Sequence, residues 1–321
     1  MNKKQLILLR HGKSDWNMGC SDFDRPLKKR GKRGAQRIGA YLRDNAMVPD
    51  LVLSSPAVRA KSTAEKCVKA MGLSADSIVY ERELYESHAF TLFNVIQRQS
   101  AQPSCILLVG HNPGLSDLLS YLSEEILTAG EDGKLLPTAT LARLSFNAAS
   151  WQALKARSGI IAEITRAKEL GYSFPVNIAG ETQLRMRPDY YYRQSAAIPY
   201  RETEAGVEVL LVGSSGNKHW ILPKGIVEPG LSPQESAAKE AYEEAGVEGV
   251  IDNEAVGTVI VNKWGGPCTV ELYAMRVDRV LPEVHWQEAH RGRRWLSVEV
   301  AAQCVENKDF APFIIALNKA S

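Results

Sequence analysis

The chain has 321 residues, of which 45% are hydrophobic and 24% charged. That is the length of about two ordinary domains, and the composition excludes disorder, collagen-like repeats and coiled coil as the main architecture. No apolar run reaches the ~18 residues of a membrane span, and the start carries no signal-peptide pattern, so no membrane partner and a cytoplasmic location are expected. A formal charge of +2 argues against a protein that coats nucleic acid, yet it conceals an asymmetry. Residues 1–180 hold 24 Lys/Arg against 17 Asp/Glu, while residues 181–321 hold 15 against 20. A basic half suits anionic substrates and an acidic half suits metal ions or cation-bound substrates. The five cysteines are scattered without a C-x-x-C spacing, as in a reduced protein lacking a structural zinc site.

In chain order, short apolar runs occur at 6–9, 51–53 and 106–109, separated by helix-period sequence. Buried parallel strands with crossover helices have this pattern, and their ligands lie beyond the carboxyl ends of the strands. The residues after the three runs are Arg10-His11-Gly12, Ser54-Ser55-Pro56 with Arg59, and Gly110-His111-Asn112-Pro113. Two arginines and two histidines are thereby expected on one rim. Ser55 and Pro56 predict a helix start with Arg59 in its first turn and Gly72 at its stop. Arginine forks match phosphate oxygens, and a neutral imidazole among them is a nucleophile for phosphorus. Arg10 and Arg59 are thus candidate phosphate clamps, His11 the nucleophile and His111 a second clamp. The basic run from Lys28 to Arg37 reads as a solvated helix face or, less directly, as a rim that steers polyanions.

The set Arg10-His11-Gly12-Lys-Ser14-x-x-Asn17, Ser54-Ser55-Pro56-x-x-Arg59 and Val109-Gly110-His111-Asn112-Pro113 resembles the histidine phosphatase superfamily. Its short form, with 136–144, looks like the small SixA-type phosphohistidine phosphatases. The resemblance covers 5 to about 172. It implies a phosphohistidine intermediate at His11, with Arg10, Arg59 and His111 around the phosphate, Asn17 and Asn112 as further contacts, and no cofactor. Glu86, in Leu84-Tyr85-Glu86, fits the position of the general acid in larger members.

Residues 171–188 mix Gly, Pro and polar types without a sustained period and predict the junction, with domains over 1–175 and 191–321 and a linker over 176–190. Tyr190, Tyr191 and Tyr192 are expected to pack at the entrance to the second domain. Beyond a strand at 207–212, a Pro- and Gly-rich loop feeds a helix marked by a Ser232–Glu235 capping box, Pro233 in its first turn and Gly246 after its last. Ala238, Ala241, Tyr242 and Ala245 are its expected buried face. Glu240, Glu243 and Glu244 stand opposite, where like charges three and four residues apart repel. A divalent cation held by oxygen ligands reverses that penalty.

The string Leu222-Pro-Lys224-Gly225-Ile-Val-Glu228-Pro-Gly230, then Lys239-Glu240-Ala-Tyr-Glu243-Glu244-Ala-Gly246, resembles the Nudix box. Similarity extends over about 195–317 and looks most like the branch acting on diadenosine and diphosphoinositol polyphosphates. It implies that Glu240, Glu243 and Glu244 bind Mg²⁺ or Mn²⁺ and that one of them or Glu288 orients the attacking water. Apart from the resemblance, Lys218, Lys224 and Arg276 are candidate polyphosphate contacts, with a surface role as the alternative for each. Two positions depart from the family pattern: Leu231 stands where a Glu is usual and Lys239 where an Arg is usual.

The expected fold class is α/β: an N-terminal three-layer α/β/α histidine phosphatase fold and a C-terminal Nudix α/β/α sandwich with a mixed sheet. The expected function is that of a bifunctional phosphohydrolase. Mg²⁺-dependent cleavage of a pyrophosphate bond in a (di)nucleoside polyphosphate or similar metabolite would accompany metal-independent phosphomonoester or phosphohistidine hydrolysis. The alternative is a phosphatase acting on a phosphohistidine protein, gated by a nucleotide-sensing Nudix domain. RNA is not an expected substrate, since no RNA-binding motif is present.

Overall fold

Along β1 (Lys3–Arg10) the side chains alternate between two cores, Leu6 and Leu8 joining one and Ile7 and Leu9 the other. A strand whose both faces are apolar must be covered twice, and here it is. On one face α1 (Lys29–Asp44) and α2 (Val58–Met71) contribute Ile38, Leu42, Ala60 and Ala64. On the other, α3 (Ala89–Gln97) and α4 (Gly114–Leu122) contribute Leu92, Ile96, Leu115 and Leu118. Between them β2 (Leu51–Ser54), β3 (Ile78–Tyr80), β4 (Cys105–Gly110), β5 (Thr140–Asn147) and β6 (Ile160–Arg166) complete a sheet of order β3-β2-β4-β1-β5-β6. The first four strands are parallel and the last two antiparallel. The three strands anticipated from their apolar runs are thus adjacent.

The computed structural model describes residues 3–130, 133–178, 180–216 and 218–319, and the chain divides into units Met1–Pro175 and Val176–Ser321. Helix α2 begins at Val58, two residues later than the sequence signals suggest, because Ser55 serves the rim instead; Gly72 ends it in the left-handed conformation. Helices α1 and α2 touch backbone to backbone, since a Cβ on Gly39 would stand 2.1 Å from the Cys67 carbonyl oxygen. The stretch expected as a linker carries a two-stranded ribbon, β7 (Phe174–Ile178) with β8 (Glu181–Arg185), and then a helical turn over Asp189–Tyr192. Tyr192 is buried there with Val176 and Cys268.

The second unit is a mixed sheet with a layer on each face. Its centre is β9 (Arg193–Thr203), which runs parallel to β15 (Gly266–Val280) and antiparallel to β10 (Gly206–Gly213) and β12 (Lys224–Ile226). The sheet is completed by β11 (Trp220–Ile221), β13 (Val247–Ile251), β14 (Gly257–Lys263) and β16 (Arg293–Ser297). One face packs on α5 (Pro233–Glu240) and the turn that continues it, through Ala237, Ala241 and Ala245 against Ala197, Leu210 and Val212. The other packs on α6 (Val298–Cys304) and α7 (Ala311–Ala316) through Ala301 and Ile314 against Ile198, Leu211 and Leu272. The capping box of Ser232 and Glu235 forms as its spacing predicts. The helix then departs from a regular α register: Ala241–Ala245 is a π turn before Gly246. The buried stripe runs through Ala237, Ala241 and Ala245, one position off the expected Ala238, so Glu244 falls on the buried side, Ala238 is half-buried and Tyr242 is exposed. All five cysteines are free. Among the described residues no helix is long and apolar enough to cross a membrane.

Candidate functional sites

Adjacency of β1, β4 and β2 aligns Arg10 with Gly110 and Ser54 with Val109, so His11, Ser55 and His111 meet at one rim. The rings of His11 and His111 are 5.2 Å apart. His11 Nδ1 lies 2.8 Å from the Gly12 carbonyl oxygen and donates to it, so in the neutral ring Nε2 keeps its lone pair. Burial pushes the His11 pKa down to about 3, against the Gly12 hydrogen bond and with help from Arg59, Arg10 and Arg25. His111 is likewise pushed down to about 3, by burial first and then by His11 and Arg59. Ser55 Oγ lies 2.9 Å from His111 Nε2 and also accepts the Ala57 N–H, tying the imidazole to the start of α2.

Arg10 Nη1 donates to the Leu136 carbonyl oxygen at 2.8 Å. Arg59, 3% exposed, donates from Nη2 to Asp22 Oδ2 at 2.7 Å and from Nη1 to the Asp22 carbonyl oxygen. Asp22 also pairs with Arg25 Nη2 at 2.7 Å and accepts the Tyr85 hydroxyl at 2.9 Å. Burial works to raise the Asp22 pKa, but Tyr85, Arg59 and Arg25 together hold it below the ordinary carboxylate value. Buried nitrogens without a hydrogen-bond partner remain at Arg10 Nε, Arg25 Nε and Nη1, Arg59 Nε and His111 Nδ1, the four on arginine being donors. Each such group costs ~1–3 kcal/mol, so their gathering around one neutral histidine is a standing demand for an oxyanion.

The other residues singled out from the sequence lie further out. Asn17 is exposed and engages Asp15 through its backbone N–H. Asn112 Nδ2 donates to the Leu136 carbonyl oxygen at 3.0 Å, bracing the same loop that Arg10 holds. Glu86 is exposed, with φ of 50°. Sequence reasoning missed Asp22, Arg25 and Tyr85. The first two sit in a mixed-charge stretch that reads as a solvated loop, and only the long-range fold turns that loop toward Arg59.

In the second unit the carboxylates gather where α5 meets β12. Gly225 permits this: a Cβ there would stand 1.7 Å from Glu240 Oε1. Burial, then Glu244 and Glu243, push the Glu240 pKa up to about 7. Glu244 Oε2 accepts the Lys224 backbone N–H at 3.0 Å and its Oε1 pairs with Arg291 Nη2 at 2.8 Å, a partner not anticipated. Burial still raises the Glu244 pKa, against both of those contacts. Arg291 also pairs with Glu288. Lys239, which lacks its usual acid at Leu231, pairs instead with Glu228 at 3.3 Å and lies 4.0 Å from Glu243. The Lys224 ammonium is held below its ordinary pKa by burial and by Lys263, with Glu244 opposing. Among the described residues no three side chains converge as a ready coordination shell. The chemistry of the donor set nevertheless fits a hard divalent cation: the carboxylates are all-oxygen donors whose mutual repulsion such an ion relieves. The tryptophans pack as structure: Trp286 is buried under Arg293, and Trp264 meets Tyr191 edge-on.

The family model of the histidine phosphatase superfamily (branch 1) matches residues 6–90, and that of the NUDIX domain matches 191–315. An uncharacterised chloroplastic protein of Arabidopsis thaliana is 30% identical over 165 residues, 49% of this chain and 72% of that protein. The asymmetrical bis(5'-nucleosyl)-tetraphosphatase of Sus scrofa is 34% identical over 116 residues, 35% of this chain and 78% of its own length. Among solved structures, that of the protein histidine phosphatase SixA complexed with tungstate aligns with a TM-score of 0.43 at 20% identity, covering 51% of this chain and 98% of that one.

Proposed function

The chain belongs to the histidine phosphatase superfamily through residues 6–90 and to the NUDIX family through 191–315, two families of hydrolases, and on that premise we propose a bifunctional phosphohydrolase. One centre removes a phosphoryl group by covalent catalysis at His11, and the other cleaves a pyrophosphate bond in a (di)nucleoside polyphosphate. The observation that carries the reading is the ring of unpartnered buried donors around a histidine held neutral, with its Nε2 free.

At the first centre His11 Nε2 attacks phosphorus while the bond to the leaving oxygen breaks, and the leaving oxygen takes a proton. Arg10, Arg59 and His111 hold the non-bridging oxygens, with Arg25 beside them. Asp22 occupies the Arg59 fork in the free protein, and an incoming phosphate takes over those hydrogen bonds. Glu86, exposed and beside Tyr85, is the proposed proton donor. Water then attacks the phosphohistidine, releasing phosphate and regenerating the imidazole.

At the second centre Glu240, Glu243 and Glu244 would hold Mg²⁺ or Mn²⁺. When bound, such an ion neutralises substrate phosphate oxygens and stabilises the leaving phosphate. Lys224 lies beside Glu244 and supplies a cation for the polyphosphate chain, while Glu288 accepts a proton from the attacking water.

EDTA separates the two centres. Chelation should abolish cleavage of diadenosine tetraphosphate and spare phosphate release from p-nitrophenyl phosphate, and His11→Ala should do the reverse. Loss of both activities on chelation would contradict the metal-free step at His11.

A further inference from the structure

At the same end of the first sheet, on the α1 side, lies a cavity of about 540 Å³ that the mechanism does not use. Among the described residues six cations line it, Lys13, Arg30, Arg33, Arg37, Arg166 and Lys168, and no carboxylate does. They come from three separate segments: the turn after β1, helix α1, and the end of β6 with the residues just beyond it. Such a concentration of one sign in a concave site repels itself and destabilises the fold unless an anion neutralises it. Glu169 approaches from outside, 3.8 Å from Arg166.

Two further features make the demand local. Arg37 stacks on Tyr172 at 4.6 Å, yet its buried Nε has no hydrogen-bond partner. The first turn of α1 has neither a side-chain cap nor an acid, so the positive end of the helix dipole there also favours an anion. Burial, with Arg33 next to it, also holds the Arg37 guanidinium below its ordinary pKa.

The cavity shares its wall with the reacting strand end. Lys13 is two residues beyond His11, the Gly12 Cα approaches Gly31 so closely that a Cβ would stand 2.7 Å from the Gly31 carbonyl oxygen, and the Ala139 N–H donates to the carbonyl oxygens of Arg10 and His11 at 3.2 and 3.1 Å. From this placement we infer that the cavity is a subsite for the non-reacting phosphates of a polyphosphate chain whose terminal phosphoryl group is presented to His11. Six cations around one concave site match the several negative charges of a polyphosphate chain better than the single phosphoryl group of a phosphoprotein. The inference rests on the phosphatase reading above and narrows its substrate to a small polyphosphorylated molecule.

The test uses the full chain in EDTA, with inorganic tripolyphosphate and orthophosphate as competitive inhibitors of p-nitrophenyl phosphate hydrolysis. Replacing Arg30, Arg37 and Lys168 together by Gln should raise the inhibition constant of tripolyphosphate at least 10-fold and that of orthophosphate less than 2-fold. Values of kcat/KM for p-nitrophenyl phosphate should stay within 2-fold of wild type. Equal weakening of both inhibitors would reduce the effect to a general field and overturn the subsite, as would no change in either. If the triple variant does not fold, Lys168→Glu alone supplies the same comparison. If wild type releases no phosphate, the phosphatase reading fails, and calorimetric titration of the two anions still decides the cavity by the same ratio. Unchanged tripolyphosphate inhibition together with slower dephosphorylation of a phosphohistidine protein would transfer the surface to protein docking and refute the inference.

Discussion

Replacing Gly225 by Ala tests the carboxylate centre through a single added methyl group. The new Cβ would stand 1.7 Å from Glu240 Oε1, 2.2 Å from its Cδ and 2.8 Å from Oε2. Ordinary contact needs about 3.4 Å, so the carboxylate must withdraw by about 1.5 Å or more. Gly225 does not have a positive φ, so alanine adds no backbone strain there, and the obstructing atoms are the end of a flexible side chain. The two consequences therefore separate. Stability should change by less than about 1 kcal/mol, because the gain of about 0.4–1 kcal/mol from a stiffer unfolded chain offsets the displaced carboxylate. Activity should fall about 100-fold, the usual effect of moving a catalytic group by an ångström. The assay is Mg²⁺-dependent cleavage of diadenosine tetraphosphate, with the melting temperature and p-nitrophenyl phosphate hydrolysis as internal controls. Combined with Glu240→Ala, the glycine substitution should add nothing further, since both act through one carboxylate. Wild-type cleavage by Gly225→Ala at an unchanged melting temperature would refute the assigned position of Glu240.

Acid should destabilise the first unit. His11 and His111 are held near pKa 3 by burial, against about 6.5 in the unfolded chain. Between those values the unfolded state binds more protons, so stability is present above about pH 6.5 and is lost as pH falls toward 3, by about 1.4 kcal/mol per pH unit for each histidine. Urea unfolding of wild type and His111→Phe across that window checks the slope, which the substitution should reduce; an identical slope would contradict the assignment. Asp22→Asn removes the carboxylate that occupies the Arg59 fork, so inhibition by orthophosphate should tighten about 10-fold, or about 1.4 kcal/mol, and phosphate should restore the lost stability. Unchanged phosphate inhibition would show that Asp22 does not compete for that fork. Gly39→Ala should cost about 1–3 kcal/mol or more, because its Cβ meets the Cys67 backbone carbonyl and cannot push it aside. Calorimetry would expose the error if the melting temperature stayed within a degree of wild type.

Much of this was legible in local pattern. The apolar runs at 6–9, 51–53 and 106–109 locate β1, β2 and β4 because a strand buried on both faces has no polar positions. The sites beyond them are expected from the rule that parallel strands deliver ligands at their carboxyl ends. Ser232, Pro233, Glu235 and Gly246 mark the acidic helix because capping is a contact among residues a few positions apart. The ribbon β7–β8 was not visible, since its residues mix Pro, Gly and polar types without a period.

The residue types that make each centre, and the strand ends and helix that carry them, were determined by the sequence itself, because periodicity and capping are local interactions written in consecutive residues. The tertiary structure decided which partners those residues meet: Asp22 in the Arg59 fork, Arg291 on Glu244, Glu228 in place of the absent acid for Lys239, and six cations around one cavity. It also set which positions of the acidic helix turn inward, burying Glu244 and exposing Tyr242. Such pairings join residues up to more than a hundred positions apart, and their strength depends on burial and distance. Both are properties of the packed chain and not of any segment alone.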